Sequence, residues 1–184
     1  MENILNIAER QLLASLVGEK FLFIAGKDLG SELVSDEIAI NTQDKVLKLQ
    51  GALVEDDFAG FVDDYGKLKV ALATQEEKLF FSEGSDTFMH RYAAEINEVF
   101  LVRETLTKKS GTNTLWKYVS DVGIVFALDK GFLCCTLLSH GNELFVVEHK
   151  NQFHLEELER TTSSFTDDLF ATYETTREVL DLAG

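Results

Sequence analysis

The stretch 122–138 restricts the possible folds of this chain most. Residues 122–128 and 132–138 are apolar at nearly every position, and Asp129-Lys130-Gly131 divides them. Short apolar runs bounded by turn residues predict buried strands, because a helix needs roughly ten residues or more to bury a face. A second turn at His140-Gly141-Asn142 leads into 144–147, so the segment reads as a three-stranded antiparallel meander. Side chains alternate between the two faces of a strand, so a run without alternation must be covered on both. Helices would cover one face. The other needs the second half of the chain or a second copy, and a homodimer is the expectation, since two-fold dimers are the commonest oligomers.

Other strands alternate and are expected to be wet on one side. They are Ile38 and Ile40 with their polar neighbours, 47–50 after the turn Asn41-Thr42-Gln43-Asp44, 67–72 and 79–81; 21–24 and 99–105 are read as strands too. Lys108-Lys109-Ser110-Gly111-Thr112-Asn113 reads as a polar loop.

Three main helices are expected from three-and-four spacing of apolar residues. The first is 2–17, with Ile4, Ala8, Leu12 and Leu16 on one line. The second is 86–97, burying Phe88, Met89, Tyr92, Ala93 and Ile96. The third carries Phe165, Leu169, Tyr173, Thr176 and Leu180, with Ser163 or Ser164 as its cap and a short segment at Leu155 and Leu158 before it. The fold class is therefore read as α+β, mainly antiparallel sheet, in a single domain over 1–184. An offset of 85 residues aligns Val34-Ser35-Asp36 with Val119-Ser120-Asp121 and Asp44-Lys45 with Asp129-Lys130. That raises an internal duplication of a helix-plus-meander unit, 1–85 and 86–184.

Charge narrows the partners. The chain has 32 acids against 17 bases, a net charge of −15. Polyanions such as nucleic acid, and anionic membranes, are repelled, and a basic protein is attracted. The N-terminal residues lack the basic start and long apolar run of a secretion signal, and nothing approaches a membrane span, so a cytoplasmic location is expected. Cys134 and Cys135 are adjacent, and a strand would point them to opposite faces, which suits buried free thiols. There is no proline, where average composition would give about nine; Gly, Asn and Asp must make the turns.

Catalytic signatures are missing from the sequence. No phosphate-binding glycine loop, nucleophile elbow or metal-ligand spacing occurs around His90, His140, His149 and His154. No metal and no cofactor is expected. Ser139-His140 beside Cys135 supplies a nucleophile and a base without a third orienting group. Trp116 and Tyr118 read as core or rim residues rather than a stacking platform. Paired acids such as Glu76-Glu77 and Asp167-Asp168 follow from composition and solvate a surface.

One acidic segment stands out as a candidate partner site: Asp56, Asp57, Phe58, Phe61, Asp63 and Asp64. Phe58, Phe61, Val62 and Tyr65 fall at helical spacing, so 55–66 is predicted to be a short helix. Such a helix either buries its aromatics and solvates its acids, or offers an aromatic anchor ringed by negative charge to a basic partner.

The helix 2–17, the strands 38–40 and 46–53, the helix 86–97, the hairpin 123–138 and the helix 165–182 follow an order that resembles the small dimeric chaperones of type III secretion systems. The resemblance implies an acidic, cytosolic α+β protein that binds unfolded protein segments. It rests on order and charge, the chain is longer with more strands, and no functional residue carries over. The functional expectation is a non-catalytic, acidic protein-binding or regulatory module. The alternative is an enzyme or small-ligand binder whose pocket has no sequence signature, and surface geometry separates the two.

Overall fold

The computed structural model describes residues 2–27, 29, 34–58, 61–83, 87–138, 141–150 and 172–182, and only the backbone of 56–58, 61–65 and 83. In chain order the elements are β1 (Glu2–Asn3), α1 (Ile7–Ala14), β2 (Lys20–Gly26), β3 (Val34–Ser35), β4 (Glu37–Thr42), β5 (Val46–Phe58), β6 (Phe61–Leu72), α2 (Gln75–Glu83), β7 (Phe88–Ser110), β8 (Asn113–Leu128), β9 (Gly131–Leu137), β10 (Leu144–His149) and β11 (Thr172–Asp181). The strands run in the order β3-β10-β9-β8-β7-β2-β4-β5-β6, with β1 beside β8 and β11 beside β7. All pairings are antiparallel except β1 with β8.

The architecture is predominantly β, which corrects the expected α+β class with three main helices. Of the second expected helix, 86–97, residues 88–97 lie in strand β7. Its apolar residues look helical because register shifts break the two-residue period. Phe21 opposes Ala94 while Phe23 opposes Arg91, which leaves two residues of β7, Tyr92 and Ala93, opposite one of β2. A further shift falls between Ile96 and Glu98. Each extra residue turns a spacing of two into three, so Tyr92, Ile96 and Val99 follow one another at helical intervals along a strand. The third expected helix is strand β11 over 172–181; Phe165, Leu169, the caps Ser163 and Ser164, Leu155 and Leu158 lie outside the described residues. Thr172, Tyr173, Thr175, Thr176 and Val179 favour strand, and the free edge of β7 pairs with them.

Two more boundaries move. The helix expected over 2–17 shrinks to Ile7–Ala14, because Asn6 and Glu9 close a reciprocal capping box there. Residues 79–81, read as strand, sit in α2, whose start carries the same device: Thr74 accepts from the Glu77 amide and Glu77 from the Thr74 amide. The loop expected at 108–113 is the tip of the β7–β8 hairpin, with Gly111 at φ 58°. Among the described residues of 86–184 there is no helix to match α1, so the element order that suggested a duplication is not seen there. Nor is the order on which the chaperone resemblance rested.

β7 holds the sheet together. Its first part pairs with β2, and from Ile96 onward it pairs with β8, with β11 on its other side over 100–109. The sheet folds across this strand, so Ile24, Ile38, Ile40 and Leu49 share one buried cluster with Leu101, Ile124, Phe126 and Leu137. Closure is tight where β5 meets the turn between β9 and β10. A Cβ on Gly51 would lie 1.9 Å from the Asn142 carbonyl oxygen, so only glycine permits the approach. The meander over 122–138 forms as expected, and both its faces are buried within one chain: Ile124 and Phe126 in the main cluster, Val122, Val125 and Cys134 in another. The two-faced pattern therefore requires no second copy.

Charges pin the periphery. Asp121 is buried and accepts from Arg103 Nε at 2.8 Å, from Arg103 Nη2 at 3.3 Å and from the Leu5 amide at 2.8 Å, with Arg10 Nη2 at 3.7 Å. This joins the N-terminal segment to β7 and β8. Glu104, also buried, pairs with Arg177 Nε at 2.9 Å and ties β11 to β7. Glu9 Oε1 accepts from the Val70 amide at 3.2 Å, so α1 caps part of the otherwise open edge of β6.

The α2 clamp carries a pH signature. Hydrogen bonds from Lys48 and from Thr74 hold the Glu77 carboxyl down from 4.5 to about 2. A depressed acid stabilises the fold above its unfolded value and loses that contribution as pH falls through its folded value. Glu77→Gln is therefore expected to melt lower than the parent at neutral pH, with the gap closing as pH falls from 4.5 toward about 2. Paired thermal melts across that range check it; a gap that persists unchanged to the acid end rejects the clamp.

Candidate functional site

Two features stand apart from the packed sheet. The first contains the sequence-predicted residues. Of the segment 55–66, expected to be helical, residues 55–58 lie in β5 and 61–66 in β6 instead. Asp and Gly are poor helix formers, whereas Val, Phe and Tyr favour strands, and β6 supplies the ladder. β4 pairs with β5 only over Val46–Gln50, and the Gly51 amide adds a bond to Asp36. From Ala52 to Phe58 the ladder partner of β5 among the described residues is β6 alone. The result is a two-stranded ribbon in which, among the described residues, β5 and β6 pair only with each other. Its register sets Glu55 opposite Asp64, Asp56 opposite Asp63, Asp57 opposite Val62 and Phe58 opposite Phe61. All six predicted residues thus share one ribbon, with acid facing acid at two successive rungs. Like charges at opposed ladder positions lower the stability of the ladder.

The second feature was not singled out from the sequence. β7 has β2 on one side over Phe88–Glu95, but its ladder with β8 starts only at Ile96, because β8 ends at Leu128 and turns back through Asp129-Lys130. The vacated side of β7 opens into a depression of about 520 Å³, walled by Arg91, Tyr92, Leu128, Lys130, Phe132 and Lys150. An adjoining lobe of about 280 Å³ runs inward to Ile24, Leu29 and His90, and Arg91, Tyr92 and Glu148 line both. The bulge at Tyr92 and Ala93 aims Tyr92 onto Phe21, ring to ring at 4.6 Å and 18°. Burial, and then the neighbouring Glu148 carboxylate, push the Tyr92 phenol well above its ordinary value, so it stays protonated. His90 Nε2 lies 3.3 Å from the Leu29 carbonyl oxygen. Only His90 and His149 hinted at this place in the sequence, because strand ends distant along the chain assemble it.

The remaining chemistry-bearing residues read as structural. Cys134 and Cys135 are buried thiols not joined in a disulfide, and burial raises the Cys135 thiol far above its ordinary value, which disfavours a nucleophilic thiolate. Ser139, His140 and His154 lie outside the described residues. Trp116 packs on Tyr173 with ring centres 6.0 Å apart, and the buried Tyr118 hydroxyl accepts from Asn3 at 3.2 Å. Among the described residues no group of three or more His, Cys, Asp or Glu is placed to hold a metal ion, and no helix is long and apolar enough to cross a membrane. Comparison of the chain with family models, curated proteins and solved structures finds no match.

Proposed function

We propose that the chain is a non-catalytic binding protein whose acidic ribbon engages a basic protein partner. The observation that carries this reading is the register of the β5–β6 pair, which opposes Glu55 to Asp64 and Asp56 to Asp63 beyond the stretch of β5 that also pairs with β4. Opposed acids weaken the ribbon that bears them, and a cationic partner relieves the repulsion on binding. A chain with net charge −15 also draws a basic partner from a distance and speeds encounter at low salt.

The test changes Asp56, Asp57, Asp63 and Asp64 together to Asn, with a charge-matched control in which Asp36, Glu95, Glu98 and Glu143 are neutralised. Binding of an oligolysine peptide, followed by calorimetry at several salt concentrations, should fall about tenfold or more in the ribbon variant and far less in the control. The salt dependence should flatten with it. The ribbon variant should melt no lower than the parent, because removing two opposed acid pairs returns roughly 0.2–1 kcal/mol each. Equal losses in both variants would mean that the peptide responds to net charge, and the ribbon would lose its assignment.

A further inference from the structure

We propose that the depression beside β7 is a binding site for a small organic anion with an apolar body, its acidic group held by Arg91, Lys130 and Lys150 and its body resting on Phe132, Leu128 and Tyr92. The inference is independent of the acidic ribbon. It starts from a local reversal of charge. The chain as a whole is strongly acidic, yet the depression brings Arg91, Lys130 and Lys150 together against one lining carboxylate, Glu148. That carboxylate lies beside the Tyr92 hydroxyl. Arg91, Lys130 and Lys150 make no side-chain hydrogen bond or ion pair among the described residues. Three cations that pair with no acid among the described residues, at one concavity in a chain with nearly twice as many acids as bases, leave donors for a ligand that brings negative charge.

The shape sets the rest of the ligand. The main depression, about 520 Å³, falls within the range that encloses small molecules. Its inner lobe ends on Ile24, Leu29 and Val146, of which Ile24 and Leu29 are fully buried, so the ligand end that enters it is apolar. The cations come from three different elements: Arg91 from β7, Lys130 from the β8–β9 turn and Lys150 from the end of β10. Their convergence follows from the early end of the β7–β8 ladder. Long polyanions remain disfavoured, since their charge extends over the acidic surface, while a compact anion is held within about a Debye length of the three cations.

Anilinonaphthalene sulfonate, an aromatic anion of suitable size, is the probe. Fluorescence and calorimetric titration of the full chain should show one bound probe per chain, with affinity falling as salt rises. The double variant Arg91→Gln/Lys130→Gln should bind about tenfold or more weakly, since both residues are exposed donors to the acid group. Lys69→Gln, an exposed lysine on β6 away from the depression, should bind like the parent. Thermal melts of the three proteins should coincide, which separates loss of the site from loss of the fold. Displacement by decanoate would assign a carboxylate ligand, and displacement by naphthyl phosphate a phosphate one. Failure of the probe to saturate at one per chain, displacement by neither competitor, or equal binding in the parent and the double variant would overturn the proposal.

Discussion

Asp121→Ala is expected to destabilise the fold by about 3–5 kcal/mol, because it removes a buried carboxylate and leaves the half-buried Arg103 guanidinium without its counter-ion. The Asp121 carboxylate is wholly enclosed and receives both Nε and Nη2 of Arg103 and the Leu5 amide, with Arg10 close by. It holds the Arg103 guanidinium above its ordinary value, chiefly through their hydrogen bond. Deleting it also leaves the Leu5 amide unsatisfied in the core, and Leu5 is 1% exposed. For a chain of this length each kcal/mol lowers the melting temperature by roughly 2–4 °C. Urea unfolding measures the loss directly. Amide exchange should place its first effect in the N-terminal residues, since β1 and α1 are attached through this carboxylate. A double replacement of Asp121 and Arg103 by leucine should recover much of the stability, as apolar pairs often match the buried ion pair they replace. A loss below about 1 kcal/mol for the single variant would show that water reaches Arg103 in its place.

Phe21→Ala is the second large effect, about 3–5 kcal/mol. Phe21 is 1% exposed and lies between Tyr92 at 4.6 Å and Phe126 at 6.5 Å, ring centre to ring centre. Alanine would open a cavity beneath the bulge of β7 and remove the surface that orients Tyr92. The consequence reaches the depression: probe binding should weaken even under conditions where the variant stays folded. Phe21→Leu keeps most of the volume and should cost less than about 1.5 kcal/mol, yet it too loses the stacked ring. Comparing the two variants by denaturant unfolding and by probe titration separates volume from orientation. If the leucine variant binds like the parent, Tyr92 is held by its strand and not by Phe21.

The elements that were legible share a property. The meander over 122–138 carries its evidence locally, as apolar runs cut by Gly-containing turns. The alternating strands around Ile38, Leu47 and Leu68 likewise show their period within a few residues. The capping boxes Asn6 to Glu9 and Thr74 to Glu77 are equally local signals, and they mark the starts of α1 and α2. The six residues of the candidate partner site lie on two paired strands and not on a helix.

What the chain determined by itself was its local alternation, its turns, its caps and its excess of acid, because each depends on neighbours within a few residues. The state of 88–97, of 172–181 and of 55–58 with 61–65 was decided by tertiary structure. A strand has no internal hydrogen bonds, so its formation depends on partners that lie far away in sequence: β2 and β8 for β7, β7 for β11, β6 for β5. Bulges in β7 then gave a strand the apolar spacing of a helix. The depression beside Tyr92 belongs to the same class, since it exists only where the β7–β8 ladder ends and brings Arg91, Lys130 and Lys150 together from three separate elements.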